Sequence, residues 1–294
     1  VSTCFIQFWR KRLKFLDIHY HARPDLFNRT YSAYEAAQIY AKHKGGVILK
    51  NHLGSTAALA TALQEQNLPV FGSIVLNYAS GGLSLLSVKH ALAHYQFVSK
   101  SKLLVHFPTI VPTHHRSRLK RNFSNNYAAF LAQQPTAITD EKGYLKSEIY
   151  ELITFAADNE IVLSSGHASK EATLRLLDAV AKKSNCRLLL NQPANPMTGF
   201  SAEQLQALGE HDWLYIEQCA LTFYLGYQTK EDMFSVLSKV NNVIYSSDLG
   251  QLGGTDIPTW LKDSANWFQE AKLSPSQIQT ITLDNPLKML SPAN

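Results

Sequence analysis

The sequence predicts an α/β fold, a (β/α)8 (TIM) barrel with an insertion after the fourth strand. Three observations predict it. Short apolar runs alternate with amphipathic helical stretches along almost the whole chain. Several of those runs are apolar at every position, the mark of strands buried on both faces of a parallel sheet. Successive strand ends fall roughly 25–31 residues apart, about one βα unit, with one interval nearly twice as long.

The eight expected strands are residues 13–18, 46–49, 70–76, 103–107, 160–165, 187–190, 213–217 and 243–247. Each is too short for a helix. The expected helices are 32–43, 55–66, 83–95, 147–158, 169–183, 201–208, 230–240 and 258–271. Several open on Ser, whose hydroxyl can accept a hydrogen bond from a free N–H of the first turn. The long interval, 108–146, is rich in Arg, Lys, His and Asn. An insertion after a strand lies on the catalytic face of such a barrel, so it is expected to act as a lid.

The chain has 294 residues, 45% hydrophobic and 17% charged. That suits one barrel domain spanning 1–294. A formal net charge of +5, from 28 basic and 23 acidic residues, is mild. It allows a preference for anionic small molecules and gives no reason to expect nucleic acid. The cysteines Cys4, Cys186 and Cys219 are far apart and form no CxxC, which excludes a disulfide framework and fits a reducing cytoplasm. Cys186 and Cys219 flank strand-like runs and read as buried thiols. No apolar run approaches the about 18–20 residues of a membrane helix, so no membrane partner is expected. The first residues, VSTCFIQFWRKRLK, carry their charges after the apolar part, the reverse of a secretory signal. The missing initiator Met fits a fragment or a processed product. Oligomerisation is left open.

Function in a barrel is read at the C-terminal ends of its strands. The first strand runs into Asp17, His19 and His21 at alternating positions, and residues two apart on a strand point to one side. The two imidazoles would then project together into the mouth, as a metal pair or as the polar face of an edge strand. The second strand ends with Lys50 and His52. The fourth carries His106, and the fifth ends at Gly166-His167. The sixth presents Asn191 and Gln192, the seventh Glu217 and the eighth Asp248. Ionisable side chains at so many strand ends are costly to bury unless they bind something or one another.

His-x-His after strand one, His167 after strand five and Asp248 after strand eight resemble the amidohydrolase superfamily of metal-dependent barrels. The closing segment Thr282-Leu283-Asp284-Asn285-Pro286 is similar to the Asn-Pro region with which many members end. The nearest resemblance is to an uncharacterised amidohydrolase-like branch, carried by Phe107–Thr109, Gly143–Leu145, Gly166–His167 and Ser247–Gln251. The resemblance implies metal ligation by His19, His21, His167 and Asp248, with Asp248 also handling the proton of the attacking water. It implies a divalent cofactor, zinc first, with manganese or iron as alternatives. The sixth strand departs from the pattern, offering Gln192 where the superfamily usually has His. The fourth strand offers His106 rather than a bridging Lys or Glu, which puts a two-metal centre in doubt.

The expected activity is hydrolysis of a C–N, ester or lactone bond in a small molecule. Lys50 and His52 would polarise the substrate, while Gln192, Glu217 and His106 would contact it. Two alternatives share these residues: a degenerate barrel that only binds a metabolite, and a metal-dependent decarboxylase or lyase. Arg116, Arg118, Lys120 and Arg121 are candidates for meeting a carboxylate or phosphate. His90 and His94, four apart on an outer helix, read as surface or packing residues, and His114-His115 as loop histidines.

Overall fold

The computed structural model describes residues 2–96, 101–112, 117–183 and 185–292. Nine short parallel strands occupy the expected places: β1 (Phe15–Tyr20), β2 (Gly45–Leu49), β3 (Val70–Phe71), β4 (Ser73–Val75), β5 (Leu103–His106), β6 (Ile161–Ser164), β7 (Leu188–Leu190), β8 (Leu214–Cys219) and β9 (Val243–Ser246). The third expected strand is split at Gly72 into β3 and β4. Pairing runs β1-β2-β3 and then β4 through β9 in chain order. The ring closes where Tyr20 bridges Leu249 in parallel, the Asp248 N–H donates to the His19 carbonyl at 2.8 Å and the His21 N–H to the Leu249 carbonyl at 2.9 Å. The fold is a (β/α)8 barrel.

All eight outer helices form. Ser32 and Ser201 close capping boxes with Glu35 and Gln204, and Ser169 caps the helix Lys170–Ala181. The 55–66 stretch differs from expectation. Thr56 takes the cap position without a capping bond, because its hydroxyl is committed to the Leu49 and Ser73 carbonyls. Cys186 and Cys219 are buried free thiols. Among the described residues no helix is long and apolar enough to cross a membrane.

Two apolar layers hold the barrel. The larger lies between the strands and the outer helices. The other fills the barrel axis with Leu16, Ile18, Ile48, Phe71, Leu104, Val162, Leu189, Tyr215 and Ile244. It is plugged from the N-terminal side of the strands by Phe5 and Trp9 of the helix Ser2–Arg10, and by Leu287, Met289 and Leu290 of the helix Asn285–Leu290. Trp9 lies 4.9 Å from Phe71, centroid to centroid. The Asn-Pro segment has a physical reason. Asn285 donates its amide to the Val243 carbonyl at 2.8 Å, at the start of β9, and Pro286 lies in the first turn of the last helix, which runs on from a π-helical turn at Thr280–Asp284.

Outside β1, two residues above each axial apolar strand side chain stands a polar one. Lys50 follows Ile48, Ser73 follows Phe71, His106 follows Leu104 and Ser164 follows Val162. Asn191 follows Leu189, Glu217 follows Tyr215 and Ser246 follows Ile244. With His19 they form a buried polar ring over an oily floor. The terminal plug is what lets that floor stay dry. Truncating Trp9 to Ala should cost about 3–5 kcal/mol, as for large-to-small core changes. Urea unfolding checks this, and a loss below about 1 kcal/mol would mean the helix is not docked in solution.

Candidate metal centre

Strict alternation along β1 would put Asp17, His19 and His21 on one side. The pairing shows otherwise. Asp17 pairs with Val47 and Tyr20 with Leu49, so three steps on β1 match two on β2. The extra residue is a β-bulge, which re-aims side chains. Ile18 belongs to the axial layer and Tyr20 to the outer one. Asp17 turns outward, where Tyr40 donates to it at 2.5 Å, while His19 and His21 both face the mouth. Asp17 pins the bulge by accepting the His19 N–H at 3.1 Å and the Ser247 N–H at 3.0 Å.

The two imidazoles converge with Asp248. His19 Nε2 lies 3.0 Å from Asp248 Oδ1 and His21 Nε2 3.2 Å from the same oxygen. The two Nε2 atoms are 3.3 Å apart. Each ring is fixed from behind. His19 Nδ1 meets Glu217 Oε1 at 2.7 Å, and His21 Nδ1 meets the Lys50 carbonyl at 3.0 Å. Both partners are acceptors, so each imidazole carries a proton on Nδ1. In their neutral form the rings turn bare Nε2 lone pairs toward a carboxylate oxygen; burial lowers the His19 pKa, but Asp248 and Glu217 outweigh it and raise it, so the site draws positive charge to this spot. Three acceptors so close repel unless a cation lies among them. Metal bonds of about 2.0–2.1 Å in a tetrahedral site set ligand atoms about 3.3–3.4 Å apart, close to what is seen. The donor set therefore fits a divalent ion. A carboxylate or carbonyl behind each imidazole is also the arrangement that orients metal-bound histidines.

The backbone that delivers these groups is strained. Gln192 and Asp248 both have positive φ, at 48° and 53°. Gly250 has to be glycine, because a Cβ there would overlap the His21 carbonyl. At Gly166 a Cβ would overlap the Phe107 carbonyl, which explains the glycine before His167.

The expected site residues separate into two levels. His19, His21, His52, His167, Gln192 and Asp248 line one cavity of about 310 Å3. His167 is in neither of the described residue groups whose ligand atoms lie within 4.8 Å of one another, which are His19–His21–Asp248 and His21–Asp25–His52. Lys50, His106 and Glu217 do not face the cavity. They belong to the polar ring one level lower, and this differs from the expected substrate contacts of Glu217 and His106. Glu217 sits behind His19, accepting also from the Ser246 hydroxyl at 2.7 Å and the Gln192 N–H at 3.0 Å. Burial pushes its pKa up, but His19 more than offsets this and holds it below the usual range. His106 Nδ1 meets Ser164 Oγ at 2.9 Å, and burial holds its pKa far below normal. Lys50 donates to Asn191 Oδ1 at 2.6 Å. Burial lowers its pKa, partly opposed by Glu217 and Asp248. Gln192 donates its side-chain amide to Asp248 Oδ2, which leaves Oδ1 for the imidazole pair.

Sequence reasoning missed Asp25 and Arg29. Both are buried, and Arg29 Nε and Nη2 lie 2.7 and 2.6 Å from Asp25 Oδ2. The pair flanks His52, whose Nδ1 is 3.3 Å from both Asp25 Oδ2 and Arg29 Nη2. Burial lowers the His52 pKa to about 4. The i, i+4 spacing of opposite charges was a readable signal, but the segment has the composition of a loop. Arg29 so close to Asp25 makes the second His–Asp–His group an ion-pair cluster rather than a cation site.

Of the basic residues in the insertion, Arg121 lines the cavity. Arg118 is spent on the Leu225 and Gly226 carbonyls at 2.6 and 3.1 Å, and Lys120 is exposed. Arg116, His114 and His115 lie outside the described residues. His94 Nδ1 meets the His90 carbonyl at 3.0 Å on an exposed helix.

Two kinds of comparison place the chain. Residues 14–217 match a family described as a family of unknown function, DUF6282. The chain belongs to that family. No curated protein matches it in sequence. Its fold is similar to two Pseudomonas structures. One is a candidate 2-pyrone-4,6-dicarboxylic acid hydrolase from Pseudomonas putida, with TM-score 0.57, 11% identity, and coverage of 94% of this chain and 97% of that one. The other is the probable dipeptidase PvdM from Pseudomonas aeruginosa, with TM-score 0.60, 11% identity, and coverage of 98% and 97%. At 11% identity these likenesses show the fold alone, and it is the barrel that the alternation of strands and helices predicted.

If Glu217 orients His19 for a metal, Glu217→Gln should weaken divalent-ion affinity by about 10-fold or more. Competition against a chromophoric chelator measures this. Unchanged affinity would remove Glu217 from that role.

Proposed function

We propose that the protein is a metal-dependent hydrolase of a small molecule, working with one divalent ion, zinc by preference. The observation that carries this reading is the meeting of His19 Nε2, His21 Nε2 and Asp248 Oδ1 within 3.3 Å, with both Nδ1 atoms tied to acceptors. His167 lines the same cavity but lies outside the 4.8 Å group, so it would join the ligands only by turning toward the trio. Nitrogen-rich ligation favours zinc over manganese or iron. Such an ion supplies Lewis acidity, acidifying water from a pKa of 15.7 toward about 7.

The chain's own residues do the rest. Asp248 takes up the proton of the attacking water and returns it to the leaving group. His52, kept neutral by burial, hydrogen-bonds the reacting carbonyl oxygen. Lys50, held beneath by Asn191, adds a fixed positive charge that favours developing negative charge above it. The strap from Arg118 to Ser124 serves as the lid. It joins the loop after β8, where Tyr227 OH accepts the Arg118 N–H at 2.6 Å, to the loop after β1, where Asn28 N–H meets the Asn122 carbonyl at 2.9 Å and Ser124 N–H the Leu26 carbonyl at 3.0 Å.

The hydrolase names of two barrels of this fold support hydrolysis in general. Gln192 on Asp248 favours one ion over two. It also keeps alive a second reading, a barrel that binds a metabolite without chemistry, since an amide takes up no proton.

Protein purified without chelator should hold one divalent ion per chain by elemental analysis. His19→Ala combined with His21→Ala should lose the ion and turnover while circular dichroism keeps the barrel spectrum. Retained stoichiometric metal in the double variant would overturn the ligand assignment. Full metal without turnover on any C–N, ester or lactone substrate would favour the metabolite-binding reading. Reaction in 18O-labelled water should place solvent oxygen in the product; a decarboxylase or lyase would not.

A further inference from the structure

The cavity holds a second built feature besides the metal trio. Arg121 lines its wall, with its guanidinium carbon 5.0 Å from the centre of the Phe27 ring. Its Nε is sealed from solvent and, among the described residues, has no hydrogen-bond partner. Among the described residues Arg121 makes no ion pair. The nearby carboxylates are already engaged: Asp25 by Arg29, Glu217 by His19, and Asp248 by the imidazole pair and Gln192. Arg29 adds a second cation nearby, which opposes the charge on Arg121 as burial does. Arg121 as a whole is half-buried, and its Nε is the part whose desolvation no partner among the described residues repays. The segment bearing it is nevertheless fixed, tied down on both sides by the strap contacts and by Phe123 stacked on Phe27 at 5.4 Å. The charge is therefore held over the cavity, not left to swing into solvent.

Resting on the hydrolase reading above, we propose that Arg121, backed by Phe27, is the subsite for a substrate carboxylate. The substrate is then a small carboxylic acid whose scissile bond lies at His19, His21 and Asp248 and whose free carboxylate lies at the lid. The planar fork of Arg pairs with a carboxylate through two parallel bonds. One uncompensated cation matches one negative charge. A phosphate dianion would leave charge unbalanced in the same space. The cavity volume, about 310 Å3, is at the small end of ligand sites, which suits a compact acid rather than a nucleotide or a long peptide.

The test uses the full chain at matched metal content, with glutarate, its neutral diamide glutaramide, and inorganic phosphate as probes in calorimetric titration. Glutarate should bind saturably, and Arg121→Met should weaken it about tenfold or more. Arg121→Lys should weaken it less, and Lys120→Met, which removes an exposed charge from the same strap, should leave it unchanged. Glutaramide and phosphate should bind more weakly than glutarate. Without ligand, Arg121→Met should melt at or above the wild-type temperature, because it removes an unpaired charge. A clear fall in melting temperature would make Arg121 a structural residue and overturn the proposal. So would equal glutarate binding by wild type and Arg121→Met, no glutarate binding at all, or binding of phosphate or glutaramide as tight as that of glutarate. These failures leave the metal trio standing. Failure of the trio to hold metal leaves the Arg121 comparison intact, since it is read as a difference between variants of equal metal content.

Discussion

One extra residue in β1 underlies the candidate site. Without the bulge, period-two geometry would turn His19 and His21 outward with Asp17, and the candidate trio would lose both imidazoles. The bulge leaves a backbone N–H out of the ladder, and that group needs an acceptor. Asp17 supplies it with one oxygen, which also takes the Ser247 N–H from the far side of the ring closure. The same carboxylate thus fixes the direction of His19 and locks the first strand to the last. Burial raises its pKa to about 6, the cost of placing a carboxyl in the wall of a barrel. Tyr40 shares that load from the outer helix.

Above the bulge, the polar ring shows why the site is rigid. Its members are inward-facing strand residues, so their Cβ positions are set by the sheet and not by loops. Each interaction restrains another. Glu217 orients His19, and it also accepts from Ser246 and from the Gln192 backbone, where φ is positive. Lys50 gives its ammonium to Asn191 and its carbonyl to His21. A network with its members satisfied specifies one arrangement, whereas a half-satisfied one would be worse than an apolar core. Two atoms of the ring, His106 Nε2 and Asn191 Nδ2, are exceptions without a partner among the described residues, and both belong to the level directly beneath the trio. The oily floor and the two terminal helices below keep solvent from entering from the other end.

Much of this was legible in the sequence, for identifiable reasons. The strands announced themselves because parallel strands are apolar throughout, and the strand ends because ionisable residues stood where apolar runs stopped. His19, His21 and Asp248 could be named from that pattern with the superfamily resemblance. What stayed hidden follows from its physics. A bulge has no sequence mark when alternation continues through it, so Asp17 looked like a neighbour of the imidazoles. The helices Ser2–Arg10 and Asn285–Leu290 are short, and their partner is the barrel floor rather than a sequence neighbour. Asp25 and Arg29 carry the i, i+4 spacing of an ion pair, but in a segment of loop composition, where that spacing does not announce a buried contact. Four basic residues in the insertion looked equivalent. Only the fold separates Arg118, which ties down the lid, from Arg121, which faces the cavity. Glu217 and His106 were expected to face substrate, but the apolar layer ends one residue pair below them and leaves them as supports.

The departure at Gln192 carries the argument about metal number. Asp248 has two oxygens. Gln192 occupies Oδ2 through its amide, and the imidazole pair claims Oδ1. A second ion would need ligands at the polar ring, where Lys50 presents an ammonium and Asn191 is already its partner. Two like charges in a desolvated space oppose each other strongly, so in the proposed mechanism the Lys50 ammonium stands where a second ion would otherwise act. Lys50, Asn191 and Gln192 then form one substitution rather than three separate losses: a lysine-centred half replaces a second metal half. In the proposed hydrolase one ion then suffices, with the amide at position 192 holding Asp248 Oδ2.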